Sequence, residues 1–328
     1  MGDNMTDYNQ YLSWLEETFD RYSQGKAIYE VCVNVLKESP GAELIVSPAN
    51  LGDTVFIATL ANTYKKVHGI KNLLILAKER QAEAVKWFEG VDGVVGFSDE
   101  EMVSLRIFFT ISGDFYSNGI RYGHIPCYLD PAYPDCFMHI PPGFGGAPLI
   151  RIWEERILGL PANSPKGKLM VPEGMVLSEN QERYKNAILI APAAFTNKGI
   201  PVSFWEHLTI FLKEKGLGVY CNSGGLHYDM TINGTIPLVC NTNDLILNAP
   251  LFKHVISVRS GFTDLVSKTS APLTVLHLHD SIGNSLSFEY GTIDDDVRDL
   301  GRMEKIYPVA YCEEREEELI NLIYRNME

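Results

Sequence analysis

The sequence predicts an α/β protein of two lobes, each built on a parallel sheet. Two observations carry this. An apolar strand, a glycine turn and an amphipathic helix occur in succession in each half of the chain, as AELIVSPANLGDTVFIATLANTYKKV and as KHVISVRSGFTDLVSKTSAPLTVLHL. Between and around these units, short apolar runs alternate with helical patterns, the rhythm of strands joined by crossover helices. Each turn delivers a helix N-terminus, whose unpaired N–H groups and dipole suit an anion such as phosphate.

In order along the chain, residues 7–24 read as a first helix with an apolar stripe of Tyr11, Leu12, Trp14, Leu15 and Phe19. Ala27–Lys37 reads as a second helix, stopped by Pro40-Gly41. Strands are expected at Leu44–Ser47, Leu73–Ala77, Val94–Phe97 and Ile107–Ile111, with helices at Asp53–Val67 and Arg80–Phe88. Residues 113–148, rich in Gly, Pro, Tyr and Cys, read as long loops with room for one short strand. Leu149–Leu160 reads as a helix, and the Pro-, Gly- and charge-rich stretch 161–185 as an interdomain linker. The second half restarts with strands at Ala187–Ala191, Gly218–Cys221, Ile236–Val239, Val255–Val258 and Leu273–Leu278. Helices are expected at Val202–Lys215, Asn248–His254, Phe262–Lys268 and, amphipathic, at Glu313–Met327. The domains are therefore placed at 1–165 and 180–311, with 312–328 as a last helix free to pack back on the first.

The 328 residues suffice for two cores, and 45% hydrophobic with 21% charged residues fits a globular chain. A net charge of −14 argues against nucleic-acid binding, which needs a basic surface. The acidic start MGDNMTDYNQ is unlike a signal peptide, and no apolar run reaches the length of a spanning helix. Cys32, Cys127, Cys136, Cys221, Cys240 and Cys312 are scattered, as expected of reduced thiols in a cytoplasmic protein.

Three segments, ANLGDTVFIATLANTYKK, ILIAPAAFTNKGIPVSFWEHLTIFLKEKGLGVYCNSGG and LFKHVISVRSGFTDLVSKTSAPLTVLHL, resemble in order and spacing the ADP-heptose:lipopolysaccharide heptosyltransferase family (glycosyltransferase family 9-like). The resemblance covers most of residues 44–110 and 186–280. It implies a GT-B fold, two Rossmann-like domains facing a central cleft, the first holding the acceptor and the second a nucleotide-sugar donor. It departs from the family at Arg259, where an acidic residue is usual, at Asp264, where histidine is usual, and at Ala193 and Ala194, where hydroxyl residues are common.

Sugar transfer from a nucleotide diphosphate needs a base for the acceptor hydroxyl, positive groups for the departing diphosphate, and a cleft that orients both substrates. Asp53, after Gly52 on the acceptor side, is the candidate base; its alternative role is helix capping. Lys198, with Thr196 nearby, is placed to reach the phosphates, or else is a solvated lysine. Arg259, Ser260, Gly261, Phe262 and Thr263 form the donor turn, with Arg259 as a fork for phosphate oxygens or as one half of a salt bridge. Asp264 binds a sugar or ribose hydroxyl or caps the helix; Ser223 and Gly224 border the base. The aromatic stretch Tyr116–Phe144 would shape the acceptor site.

His124, Cys127, Cys136 and His139 have the residue types of a zinc site but lack the usual C-x-x-C pairing. His277, His279 and Asp280 could meet a ligand at a strand end. No metal and no cofactor is assigned. The expectation is a cytoplasmic, inverting glycosyltransferase whose partners are a nucleotide sugar and a hydroxyl acceptor, glycan or glycolipid, as in lipopolysaccharide biosynthesis. A glycolipid acceptor would bring it to the inner face of the membrane as a peripheral protein. The alternatives are a nucleotide-sugar epimerase on the same fold and a nucleotide-binding module without catalysis.

Overall fold

The computed structural model describes residues 3–48, 50–112, 127–128, 149–172, 175, 178–194, 199–222, 232–239, 241–278, 300 and 304–328. Among these, the strands form two separate, wholly parallel sheets. The first has the order β3 (Gly93–Phe97), β2 (Asn72–Lys78), β1 (Ala42–Ser47), β4 (Cys127–Tyr128). The second runs β10 (Ile306–Tyr311), β9 (Leu273–Leu278), β8 (His254–Val258), β5 (Ala187–Ala191), β6 (Gly218–Asn222), β7 (Ile236–Leu238).

Alternation along each strand divides the interior into three cores. Leu44, Val46 and Leu76 face one side of the first sheet, where α1 (Asp3–Glu38) and α4 (Asp99–Ser112) cover them. Ile45, Leu73 and Ile75 face the other side, against α2 (Leu51–His68) and α3 (Glu79–Val85). In the second sheet Leu189, Val255, Leu273 and Val275 join that same middle core, through α8 (Thr242–Asn248) and α9 (Gly261–Ser267). Ile188, Ile190, Ile256 and Leu276 point away, onto α7 (Val202–Glu214) and α10 (Glu316–Arg325). One continuous apolar core therefore joins the lobes, and α2 and α9 lie in it side by side.

Several expectations are corrected. Residues 3–38 form one helix, not two. A methyl on Gly25 would lie 2.1 Å from the Ser104 carbonyl oxygen, so this glycine is a close-approach residue against α4 rather than a break. Trp14, Leu15 and Phe19 of the predicted stripe are exposed rather than core. Ile107–Ile111 is helical, within α4. Ser98 and Glu101 cap that helix, the Ser98 N–H and hydroxyl each donating to Glu101 Oε2 at 2.8 Å, and Met102, Leu105, Phe108 and Phe109 are buried at helical spacing.

The helix expected at Asn248–His254 lies earlier, as α8, because the Asn241 side chain accepts the Asp244 N–H at 2.8 Å and starts it there; His254 belongs to β8. Leu149–Leu160 is helical at Leu149–Arg151 (α5) and π-helical at Ile152–Ile157. The stretch read as a linker carries α6 (Ser178–Tyr184), and its start is tied to α2 and α3. There Gly167 N donates to Thr59 O at 2.7 Å, and Met170 N to Trp87 O at 2.6 Å. In the last helix the buried Leu319, Ile320 and Ile323 sit with Phe204 and Leu208 of α7, under the second sheet.

Candidate functional site

The two glycine turns meet. Each follows a fully buried strand, β1 or β8, and leaves it at its C-terminal edge, where open parallel sheets bind ligands. A methyl placed on Gly261 would sit 2.5 Å from the Gly52 nitrogen and 3.2 Å from its Cα. One placed on Gly52 would sit 2.7 Å from Asp264 Oδ2 and 3.4 Å from Gly261 Cα. Only two residues without Cβ atoms allow this approach, and it brings the N-terminal ends of α2 and α9 together.

The first turn is capped by its own side chains. Asn50 is extended at the N-cap, and Asp53, at the third helical position, accepts the Asn50 N–H on Oδ2 at 3.1 Å. Asp53 is half-buried. Beneath it runs a buried polar chain that the sequence reading did not identify. The Ser47 and Thr54 hydroxyls are 2.9 Å apart, and Thr54 Oγ1 donates to Gln81 Oε1 at 3.2 Å. These three residues bind the end of β1, the first turn of α2 and α3 into one unit, a rigid base for Asp53. The signal available in sequence is that Ser47 and Thr54 bracket the turn; Gln81 carries none.

The second turn is closed by charge. Arg259 Nη1 donates to the Ser260 carbonyl at 2.9 Å, to Thr263 Oγ1 at 3.3 Å and to Asp264 Oδ2 at 3.0 Å, while Nη2 lies 3.0 Å from Asp264 Oδ1. The Asp264 side chain is 2% exposed and that of Arg259 15%. Thr263 Oγ1 accepts the Ser260 N–H at 3.0 Å. Two of the four departures from the family pattern, Arg259 and Asp264, are thus each other's partners. Of the alternatives for Arg259, the salt bridge is present, and its fork is held facing the turn.

Trp87 adds a tie across the lobes, its Nε1 donating to Asn243 Oδ1 at 2.8 Å. Lys268, at the end of α9, donates to the Leu300 carbonyl at 2.6 Å. Burial, with Lys166 nearby, pulls its ammonium down to about 8.

Thr196, Lys198, Ser223 and Gly224 lie outside the described residues, as do His124, Cys136, His139, His279 and Asp280. Of the Tyr116–Phe144 stretch, Cys127 and Tyr128 are described, in β4 beside Ile45 and Val46 of β1. Among the described residues no group of three or more His, Cys, Asp or Glu side chains could hold a metal ion. No helix among them is long and apolar enough to cross a membrane.

No protein-family model and no curated protein matches the sequence. Solved structures do match in fold. The ADP-heptose lipopolysaccharide heptosyltransferase II of E. coli superposes with a TM-score of 0.59 at 11% identity, over 87% of this chain and 98% of that one. The E. coli heptosyltransferase WaaC with ADP gives 0.55 at 12% identity, over 87% and 99%. A family 9 glycosyl transferase from Veillonella parvula gives 0.55 at 12% identity, over 87% and 97%. The chain therefore has the two-sheet GT-B fold of these glycosyltransferases, nearly from end to end.

Proposed function

We propose that this protein is a glycosyltransferase that moves a sugar from a nucleotide diphosphate to a hydroxyl acceptor, with inversion at the anomeric carbon. The observation that carries this is the meeting of the two helix N-termini, one bearing Asp53 and the other Arg259, on the fold of sugar-nucleotide transferases. The donor lies on the second lobe. Its diphosphate is held by Lys198, by the positive charge of Arg259 and by the backbone of Ser260–Thr263, with Thr196 beside the sugar and Ser223 and Gly224 at the base. Asp264, buried against Arg259, orients the guanidinium fork instead of meeting a sugar hydroxyl. The acceptor enters on the Gly52 side, against the Tyr116–Phe144 stretch.

Asp53 takes the acceptor proton as that oxygen attacks the anomeric carbon and the bond to the diphosphate breaks. Oxocarbenium character develops in this step, and exclusion of water keeps the sugar for the acceptor. Of the similar structures, one is an ADP-heptose lipopolysaccharide heptosyltransferase and another a heptosyltransferase with ADP. This makes an ADP-sugar the first donor to try here, with a glycan or glycolipid acceptor of the lipopolysaccharide type. No cofactor or metal enters the scheme.

Product analysis of the purified chain with ADP-, GDP-, UDP- and CDP-sugars tests it. Transfer is expected with one donor and a hydroxyl acceptor. Asp53→Asn should keep donor binding and lose transfer by about 10²–10⁴-fold. Undiminished turnover by a folded Asp53→Asn removes Asp53 from the mechanism. An isomerised sugar formed without acceptor would favour the epimerase, and binding with neither transfer nor hydrolysis the inactive module.

A further inference from the structure

We propose that Gln81 is a positioning residue for Asp53: its side-chain carbonyl decides where the Thr54 hydroxyl proton goes, and so holds the Asp53 carboxylate where it can take a proton from the acceptor. This rests on the reading of Asp53 as the base. Topology puts Gln81 in place. β1 and β2 are parallel neighbours, with Ser47 beside Ala77 near their C-terminal ends. Four residues beyond Ala77, Gln81 lies in the first turn of α3, and its Oε1 meets the first turn of α2 at Thr54.

The contact is one of direction as much as of attraction. Ser47 and Thr54 are 0% exposed and Gln81 3%, so their polar atoms must be matched within the protein. Thr54 has one hydroxyl proton and two carbonyl oxygens in reach, Gln81 Oε1 at 3.2 Å and Asn50 O at 3.4 Å. The Ser47 hydroxyl, at 2.9 Å, takes the remaining side of Thr54 Oγ1. A threonine hydroxyl that bonds back to the carbonyl four residues earlier bends its helix. Here that carbonyl belongs to Asn50, the residue whose N–H holds Asp53 Oδ2 at 3.1 Å.

Donation to Gln81 leaves the Asn50 carbonyl to the Thr54 N–H, which reaches it at 3.3 Å, and the turn keeps its helical course. A side chain from α3 thereby sets Asn50, Asp53 and Thr54 as a group. Stability alone does not call for this arrangement, because apolar groups of the same shape at both partners serve about as well. Apolar groups supply no direction, and direction is what a base needs, since a small displacement from the reacting atoms costs much of the rate.

Two variants test this. Gln81→Met keeps the length of the side chain and removes the acceptor, which turns the Thr54 proton back on Asn50. Adding Thr54→Val removes that proton as well. Each is compared with wild type, well below its melting temperature, for sugar transfer and for amide exchange by NMR at Asn50, with Leu189 in β5 as a distant reference. Gln81→Met should speed exchange at Asn50 and lower kcat, each by about tenfold, with exchange at Leu189 and the donor KM little changed. The double variant should recover both towards wild type. Wild-type exchange at Asn50 in Gln81→Met overturns the proposal, whatever the chain transfers. So does an unchanged kcat where Asp53→Asn abolishes transfer, or a double variant no better than Gln81→Met, which would leave Gln81 a scaffold residue only. Transfer that survives Asp53→Asn, or is absent from wild type, is a separate failure, of Asp53 as the base; exchange at Asn50 still shows whether Gln81 holds that carboxylate.

Discussion

The two glycine turns are built on one plan and finished differently. Each places a polar residue at the N-cap, Asn50 or Ser260, and a second at the third helical position, Asp53 or Thr263, whose side chain accepts the N-cap N–H. At the first turn the accepting group is a half-buried carboxylate. At the second it is a fully buried hydroxyl, and the carboxylate of the next residue, Asp264, is spent on Arg259. The first turn thus leaves a carboxylate half-buried, held by its own N-cap N–H. The second pairs its charge internally, the largely buried Arg259 fork resting on the buried Asp264. Under the proposed transfer the first would supply the base and the second the anion cradle.

The difference is sharpest in what each carboxylate does for stability. Asp264→Ala leaves the guanidinium of Arg259 largely buried without its partner and should destabilise the fold by about 3–5 kcal/mol, read as a lowered urea midpoint.

The strands feeding the turns differ too: β1 carries Glu43 paired with the Tyr64 hydroxyl, whereas β8 carries His254, fully buried. Burial, with Lys253 nearby, holds the His254 imidazole down at about 4 against its ordinary 6.5. The unfolded chain therefore takes up this proton first. The stability due to the neutral imidazole is complete above pH 6.5 and drains away as pH falls to about 4. At about 1.4 kcal/mol per pKa unit the loss totals about 3 kcal/mol. In pH-dependent denaturation His254→Asn should flatten the wild-type profile across that window; a parallel profile would mean that the imidazole titrates normally.

The contact itself is tested by adding one carbon. Gly261→Ala must move the Gly52 backbone, at a cost of about 1–3 kcal/mol, and should weaken donor binding and transfer together. Gly218→Ala, whose methyl would make ordinary contact with Ala187 Cβ at 3.5 Å, is the neutral control. If the two variants behave alike, the turns do not depend on close approach. The smallest stability effect belongs to Asp53→Asn, about 1 kcal/mol or less by the usual worth of a cap, although the reading above gives it the largest effect on transfer. A large loss of stability there would make Asp53 a structural residue.

Both strands and both helices of the glycine turns are legible in sequence because each unit is local: a run of apolar residues, a glycine and a capping residue within a few positions. Two misread elements show where locality fails. IFFTI resembles a strand by itself; the decision for helix comes from Ser98 and Glu101 upstream and from packing on α1. IYPVAY, with Pro308 inside it, hides β10, because proline is tolerated there only at the outer edge of a sheet, and edge position is a property of the assembled fold. The exposed stripe on α1 has the pattern of a core face, and only the length of α4 shows that nothing in the described chain covers it.

The sequence singles out Gly52, Asp53 and the Arg259–Asp264 segment, and leaves Asp53, Arg259 and Asp264 each with two roles. The pairing of Arg259 with Asp264 spans five residues across a turn, outside helical side-chain spacing, and had to be seen. The contact between Gly52 and Gly261 joins opposite halves of the chain, and no local pattern encodes it. Ser47, Thr54 and Gln81 gain their meaning only once β1, α2 and α3 converge.

Calorimetric titration of the wild-type chain with ADP-, GDP-, UDP- and CDP-sugars tests most directly the claim that the joined turns receive a sugar diphosphate. One of these donors should bind, and Lys198→Ala and Gly261→Ala should each weaken that binding while Gly218→Ala does not. A folded wild-type chain that binds none of the four, or binds one equally well with Gly261 replaced, would contradict it.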